Sequence, residues 1–259
     1  MTIAKLAGVA ASLGLAMAAG PTEAAPAAGP VIELRQYKIV PGKRDTMIEL
    51  FEARFIESQE ALGMRLVGQF RDLDDPDRFT WIREFPDMAR REPALTAFYS
   101  GTVWQAHRDG ANPLLDDNDN VLLLRPAGPG QGFGPLVDER PASGATARPA
   151  GMVVATIYYL WKDPDEGFTA FFRGEVAPAL EAAGLPVLGA YVPEATPNNF
   201  PRLPVRQDEK VFVWFTRASD QAAYDAVLAK LKAGERLRGY QERRAQILRL
   251  EPTPRSLLR

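Results

Sequence analysis

The sequence contains no cysteine and only one histidine, His107, among its 259 residues. Without cysteine the chain cannot form disulfides, use a thiol nucleophile or bind zinc through thiolates. A single histidine also excludes a multi-histidine metal site. The acidic clusters at residues 72–77 and 116–120 lack the glycine and glutamate of an EF-hand calcium loop, so we predict turns there and no metal centre. Charge of one sign is not in excess either. The formal net charge is -2, which gives no electrostatic basis for a nucleic-acid partner.

The sequence has no hydrophobic run long enough to span a membrane as a helix, which takes about 20 residues. An uncharged apolar run at residues 6–19 follows Lys5 and precedes a stretch of small residues. This order is typical of a secretory signal peptide. We predict a signal peptide over residues 1–27, cleaved after Ala24 or Ala27, and a periplasmic or secreted mature protein.

Proline and glycine are concentrated in one internal segment. Residues 126–149 contain five of each, and this composition interrupts helices and central strands. We therefore predict a linker between two structured units. The predicted boundaries are 31–126 for the first unit, 127–149 for the linker, 150–252 for the second unit and 253–259 for a C-terminal tail.

The two units share marker residues at equal spacings, which indicates an internal repeat. The matching sets are Gly63, Gly68, Phe70, Phe79, Trp81 and Asp87 in the first unit and Gly184, Gly189, Tyr191, Phe212, Trp214 and Asp220 in the second. The second unit has in addition a proline-rich insertion at residues 193–209. Both a surface decoration and a lid over a pocket are compatible with this insertion.

Hydrophobic periodicity predicts the order β-α-β-β-α-β in each unit, which is the ferredoxin-like arrangement. The last helix of the second unit is predicted to run from residue 219 to about 244. Each antiparallel sheet would have one apolar face that its own helices leave bare. We therefore predict an α+β fold in which the two sheets pack on each other as an α/β barrel within one chain.

Several motifs of the first unit resemble the NIPSNAP family. They are Glu-Leu-Arg-Gln-Tyr at 33–37, Pro-Gly-Lys at 41–43, Val-Gly-Gln-Phe-Arg-Asp at 67–72, Trp-Ile-Arg-Glu-Phe-Pro-Asp at 81–87 and Trp-Gln-Ala-His-Arg-Asp at 104–109. The resemblance covers residues 31–126 and implies a dimeric α/β-barrel fold, shared with haem-degrading monooxygenases. It implies no particular reaction. Related haem-binding barrels use a histidine of the second helix, where His107 lies.

The first predicted strand carries a candidate ligand-binding set. Glu33, Arg35 and Tyr37 alternate with Ile32 and Leu34, so the polar and aliphatic side chains point to opposite faces. We expect the aliphatic pair to pack on the helices and the polar face to look into the space between the sheets. Buried charge must be paired, either as a Glu33–Arg35 pair or by an anionic ligand on Arg35.

The second predicted helix carries a further candidate set. Trp104, His107 and Arg108 share one helical face, and His107 is our candidate catalytic residue. A structural histidine, a proton shuttle and an axial haem ligand are all compatible with imidazole chemistry. The remaining candidates for ligand binding are Gln69, Trp81, Arg83, Trp104, Arg108 and Asn112.

Three functions remain open on the sequence. The first is binding of a small, partly apolar or anionic ligand in the α/β barrel, with no evident cofactor. The second is a haem-binding or monooxygenase-like enzyme that uses His107, with haem as its cofactor. The third is a structural or protein-interaction module. A homo-oligomer is compatible with all three, and the sequence does not decide whether the protein is an enzyme.

The signal peptide leads to a test in a Gram-negative host. The mature protein is expected in the periplasmic fraction with an N-terminus near Ala25 or Ala28, because signal peptidase cleaves after small residues. N-terminal sequencing of the fractionated protein measures this. Soluble cytoplasmic protein that retains Met1 would contradict export.

Overall fold

A computed structural model of the chain describes residues 29–137, 139–231 and 242–259. The predicted signal peptide at 1–27 and residues 232–241 of the last predicted helix lie outside the described residues. None of the helices in the described ranges is long and apolar enough to cross a membrane.

The first half follows the predicted order of elements. Its strands and helices are β1 (Val31–Ile39), α1 (Arg44–Arg54), α2 (Ile56–Glu60), β2 (Arg65–Asp72), β3 (Arg78–Phe85), α3 (Met88–Ser100), α4 (Thr102–Ala111), β4 (Leu115–Asp117) and β5 (Val121–Pro126). Gly63 ends the first helical stretch with φ +82°, a conformation that favours glycine. Asp87 caps α3, since its carboxylate accepts from the backbone N–H of Arg90 at 2.8 Å. Gly101 is extended and separates α3 from α4.

The second half repeats this order with one correction. Its elements are β6 (Met152–Leu160), α5 (Glu166–Phe171), α6 (Ala177–Ala182), β7 (Val187–Pro193), β8 (Val211–Ala218), α7 (Gln221–Leu231) and β9 (Glu242–Pro252). A π-helical turn, Phe172–Val176, joins α5 to α6. The prediction that the last helix reaches about residue 244 is wrong, because β9 already begins at Glu242. Pairing of β9 along the whole of β6 overrides the helical pattern of its charged residues.

Eight strands form a closed antiparallel barrel in the order β1-β3-β2-β9-β6-β8-β7-β5, with β5 returning to β1. The short strand β4 adds to β1 outside this ring. The two halves join at two seams, where β2 pairs with β9 and β5 pairs with β7. The predicted barrel within one chain is therefore confirmed, and closure leaves no unpaired sheet edge in the ring.

The barrel interior is mostly apolar and draws residues from all eight strands, with a few polar side chains among them, such as Gln36, which accepts from Gln246 Nε2 at 2.9 Å. From β1 it takes Ile32 and Leu34, which lie in the same cluster as Leu248 and Leu250 of β9. The helices cover the outside of the sheet and form one further apolar cluster in each half.

The predicted orientation of β1 is therefore wrong. Glu33, Arg35 and Tyr37 face the helices, and Ile32 and Leu34 face the barrel interior. The interior is lined mainly by aliphatic and aromatic side chains of both halves, whereas the helix layer supplies polar side chains, such as Arg91, that can pair with a buried charge. The polar set belongs to a site outside the barrel.

Barrel closure leads to a prediction about the isolated first half. A fragment of residues 31–126 would expose Ile32, Leu34 and Ile82 and would lose the strands that pair with β2 and β5. It is expected to aggregate or to self-associate, because large apolar patches are rare on soluble monomers. Light scattering coupled to gel filtration at micromolar concentration, with the full chain as control, measures this. A well-folded monomeric fragment would contradict the closed barrel.

Candidate functional site

A cavity of about 300 Å³ lies in the first half, between the outer face of the sheet and helices α1–α4. The sheet contributes Tyr37 and Trp81, whose rings meet edge to face at 5.6 Å between centroids. On the α1–α2 side, Phe51 and Phe55 lie one helical turn apart, and Phe51 packs on Trp81 at 4.8 Å. Spacing by four residues places both rings on the face that meets the sheet.

The opposite wall of the cavity comes from α3 and α4. Tyr99 and Trp104 pack edge to face at 4.9 Å, and Trp104 also lies 5.5 Å from Phe55. At the mouth the lining becomes polar and includes Arg108, Asn112, Asn118 and Arg202. The cavity therefore has aromatic walls and a polar, cationic rim.

Part of the wall comes from the other half of the chain. In the segment between β7 and β8, residues 194–210, Phe200 stacks on Tyr99 with centroids 6.0 Å apart and planes at 22°. Leu203 and Arg202 of the same segment also line the cavity. The sequence left two roles open for the insertion, a surface decoration and a lid over a pocket, and these contacts agree with a lid. We call residues 194–210 the strap.

The strap is attached to the first half by polar contacts. Arg91 Nη1 of α3 donates to the side-chain oxygens of Asn198 at 2.9 Å and Asn199 at 2.8 Å. The amide of Asn199 donates in turn to the backbone oxygen of Met88 at 2.6 Å. At its far end the backbone N–H of Arg206 donates to the Val121 carbonyl at 2.8 Å. These contacts hold the strap over the helices of the first half.

Beneath the cavity, Glu33 is the centre of a buried ion cluster. Its Oε2 accepts from Arg35 Nη1 at 2.6 Å and from Arg83 Nε at 2.8 Å. Its Oε1 accepts from Nε and Nη2 of Arg91 at 2.8 and 2.5 Å. All four side chains are fully buried. Three guanidinium groups against one carboxylate leave the cluster with two uncompensated positive charges.

Further acceptors and aromatic faces support the guanidinium groups. Arg83 Nη1 donates to Gln59 Oε1 at 2.9 Å, and Arg35 Nε donates to the Tyr37 hydroxyl at 2.8 Å. The guanidinium of Arg35 lies 5.3 Å from the Tyr37 ring and 5.5 Å from that of Trp81, and Arg83 lies 5.2 Å from the same indole. These distances are within the range of cation–π attraction, which partly offsets the loss of hydration.

The electrostatics of the cluster keep the carboxylate ionised. Burial by itself would raise the pKa of Glu33, but the positive charges of Arg83, Arg35 and Arg91 lower that pKa far below the ordinary value of a glutamate. For Tyr37, burial raises the pKa of the phenol, although Arg35 opposes the shift. The Tyr37 hydroxyl is therefore protonated at neutral pH. Since its oxygen accepts from Arg35, its own proton is available to another acceptor.

The structure brings most of the predicted site residues together. Glu33, Arg35, Tyr37, Gln69, Trp81 and Arg83 are all buried. Trp104, Arg108 and Asn112 line the cavity. His107 is half-buried on α4, where its ring lies edge-on to Phe55 at 6.4 Å, and it is not among the described residues that line the cavity. Its role as a catalytic residue stays a prediction.

Sequence reasoning missed the groups that complete the site. Arg91 and Gln59 could have been found, because each lies on the apolar face of its helix. Arg91 precedes Leu95 by four residues and Phe98 by seven, and Gln59 follows Phe55 by four. The strap residue Phe200 gives no such signal, since its contacts are with a distant part of the chain.

In the described part of the chain no group of three or more His, Asp or Glu side chains is arranged to hold a metal ion.

Residues 32–127 match the model of a protein family, NIPSNAP. The resemblance of the first unit to that family is therefore confirmed, and the first half carries a NIPSNAP domain. The search of curated proteins finds no match to the chain.

Similar solved structures share the barrel over most of the chain. A "putative monooxygenase" from Fusobacterium nucleatum has a TM-score of 0.57 at 11% identity and covers 88% of this chain and 94% of its own. A "putative monooxygenase" from Lactobacillus acidophilus has a TM-score of 0.54 at 16% identity and covers 86% and 94%. An uncharacterized NIPSNAP domain protein from Burkholderia xenovorans, 20% identical, covers 40% of this chain and 98% of its own with a TM-score of 0.36. At such identities the first two show a common fold, and a fold alone does not establish an activity.

The buried cluster leads to a prediction about stability and pH. Glu33→Gln would leave three buried guanidinium groups without their carboxylate, and it is expected to lower the free energy of unfolding by about 3–5 kcal/mol at pH 7. Urea unfolding measures this. The control is Glu84→Gln, since Glu84 pairs with the half-exposed Arg65 at 3.2 Å and its replacement is expected to cost much less.

The effect of Glu33→Gln on the free energy of unfolding has a defined pH dependence. Because the pKa of Glu33 is lowered on folding, its contribution is complete above the ordinary glutamate pKa of about 4.3 and decreases as the pH falls below it. The difference in the free energy of unfolding between wild type and Glu33→Gln should therefore be constant from pH 7 to 5 and should decrease towards pH 3. If Glu33→Gln and Glu84→Gln lower the free energy of unfolding equally at pH 7, the central role of Glu33 is contradicted.

Proposed function

We propose that the protein binds a small ligand in the cavity of the first half, within the NIPSNAP domain at residues 32–127. The ligand has an apolar, preferably aromatic, body and an anionic group. This proposal rests on one observation: an aromatic cavity of about 300 Å³ lies directly beside the buried Glu33 cluster, which has excess positive charge. Ligand sites are mostly apolar clefts of about this size or larger with a few placed polar groups. The site has these properties.

The aromatic walls support an apolar ligand body. Phe51, Phe55 and Trp104 meet in edge or tilted geometries, so their faces and edges are available to a flat guest. The charges support an anion, because three guanidinium groups minus one carboxylate leave a charge of +2 below the cavity. Arg108 and Arg202 add positive charge at the mouth.

We also propose that the two halves are duplicated ferredoxin-like units, of which the second is a scaffold. Their element order is the same, and Trp81 and Trp214, one of the repeated pairs, both lie on the helix-facing side of the sheet. In the second half that layer is filled by rings, since Phe172 packs on Phe212 at 4.8 Å and on Trp214 at 5.3 Å. The outer face of β6 carries Val154 where β1 carries charge.

A second candidate is a monooxygenase-like reaction on a ligand in the same cavity. It is favoured by the shared fold with proteins that are named for that activity. Haem bound through His107 is a less direct fit, because the imidazole packs beside Phe55 and is not among the described residues that line the cavity. Haemin titration separates these cases: a Soret shift that His107→Ala abolishes would favour the haem enzyme.

Export belongs to the same proposal. The order of charge, apolar run and small residues at positions 1–27 supports secretion, and ligand capture would then take place in the periplasm or outside the cell.

The ligand-binding proposal is tested with 1-naphthoate as the probe. Titration calorimetry is expected to show binding to the full chain at one site per molecule. Phe200→Ala should weaken binding roughly tenfold, about 1.4 kcal/mol, because Phe200 closes the cavity over Tyr99. The control is Trp161→Ala, which removes an exposed aromatic side chain away from the cavity. Absence of binding, or equal affinity in Phe200→Ala, would contradict the proposal.

A further inference from the structure

Three polar side chains form a row across the sheet of the first half, on the side that faces the helices. Arg35 of β1 is paired with Trp81 of β3 in the strand register, and Trp81 is paired with Gln69 of β2. Residues directly opposite each other in antiparallel strands project to the same face. The guanidinium of Arg35 lies 5.5 Å from the Trp81 ring, in agreement with that register. The row therefore lies under the cavity that Trp81 lines.

Every member of this row has a buried polar atom without a hydrogen-bond partner among the described residues. These atoms are Nη2 of Arg35, Nε1 of Trp81 and both amide atoms of Gln69. Arg35 and Gln69 are fully buried, and Trp81 is 3% exposed. Buried polar groups are nearly always hydrogen-bonded in folded proteins. Three neighbouring exceptions indicate a missing partner common to them.

The chemistry of these atoms identifies that partner as an acceptor with negative charge. Arg35 Nη2 and Trp81 Nε1 can only donate. A water molecule could accept from both, but it would leave the two excess positive charges of the Glu33 cluster uncompensated. An anion compensates the charge as well, and charge-assisted hydrogen bonds are stronger than neutral ones.

We propose that this row is the anion subsite of the ligand and that it receives a carboxylate. One carboxylate oxygen accepts from Arg35 Nη2 and the other from Trp81 Nε1. The Gln69 amide and the Tyr37 hydroxyl, whose proton is available, complete the donor set. The apolar body of the ligand then lies between the aromatic walls and points to the mouth. This inference rests on the proposed function, which it refines to an apolar, preferably aromatic, carboxylate bound with its charge inwards.

The mouth offers a competing position for the anion. Arg108 and Arg202 both line the cavity there, but both are exposed, and Arg108 lies 3.5 Å from Asp109. Exposed cations are hydrated and do not need a ligand for compensation. The buried row has donors without a hydrogen-bond partner, whereas the two arginines at the mouth are accessible to water. We therefore assign the charged end of the ligand to the deep end of the cavity.

The test compares two probes of nearly the same shape, the anion 1-naphthoate and the neutral 1-naphthalenemethanol. In the wild type, calorimetry is expected to show at least tenfold tighter binding of the anion. Trp81→Phe removes the indole N–H and keeps an aromatic ring, so it should weaken binding of the anion much more than binding of the alcohol and abolish most of this preference. Trp104→Phe makes the same chemical change on the opposite wall and should keep the preference.

A second variant keeps the test valid if Trp81→Phe does not fold, as thermal melting without ligand would show. Gln69→Met removes the amide with little change of volume and should also reduce the preference for the anion. A preference that both variants retain would assign the unpaired atoms to water and overturn the inference. If Arg108→Ala or Arg202→Ala abolishes the preference for the anion instead, the anion binds at the mouth, and the inference is overturned as well.

The outcomes also separate this inference from the proposal on which it rests. Equal binding of the two probes to the wild type would contradict the carboxylate subsite, while the cavity would remain a ligand site. Failure of both probes to bind would contradict the ligand-binding function and the subsite together.

Discussion

The carboxylate of Glu33 is the constraint on which the first half depends. Arg35, Arg83 and Arg91 come from β1, β3 and α3, and their guanidinium groups could not lie side by side out of water without a shared anion. One glutamate thereby connects two strands to the helix layer. Through Arg91 the connection extends to Asn198 and Asn199, and so to the cover of the cavity.

The fold does not require this cluster. The second half builds the same layer from Phe168, Phe172, Phe212 and Trp214, which pack directly on one another. Replacing a buried ion cluster by apolar side chains is often neutral or stabilising, so the second half shows within one chain that an apolar solution is available. Real proteins depart from such simple solutions mainly where function demands it. The departure lies beside the aromatic cavity, which is the reason for placing the function there.

Much of this architecture can be read from residue patterns. Hydrophobic periodicity predicted the order of strands and helices in both halves. The barrel followed from the bare sheet face that each half was expected to have. Two errors have a common cause. The faces of β1 and the start of β9 are decided by which distant residues are opposite them, and local periodicity does not contain that information.

The site was predictable in its residue types and not in its assembly. Glu33, Arg35 and Tyr37 were recognisable because charge in an alternating strand needs a partner. Neither Arg91 nor the asparagines at 198 and 199 could be assigned as that partner, since the contacts span more than fifty residues in one case and more than a hundred in the other. The same holds for Phe200, which reaches the cavity from the other half.

The origin of the strap in the second half has a consequence for symmetry. In a homodimer of single units, a two-fold axis makes every pocket identical, so each copy must cover its partner's pocket and be covered in return. A covalently joined pair is free of this rule. Here one half contains the charged pocket, and the other carries the strap that covers it. A substitution in the strap can therefore alter the shape of the pocket without a matching change at a second, equivalent site, so pocket and cover can diverge one residue at a time.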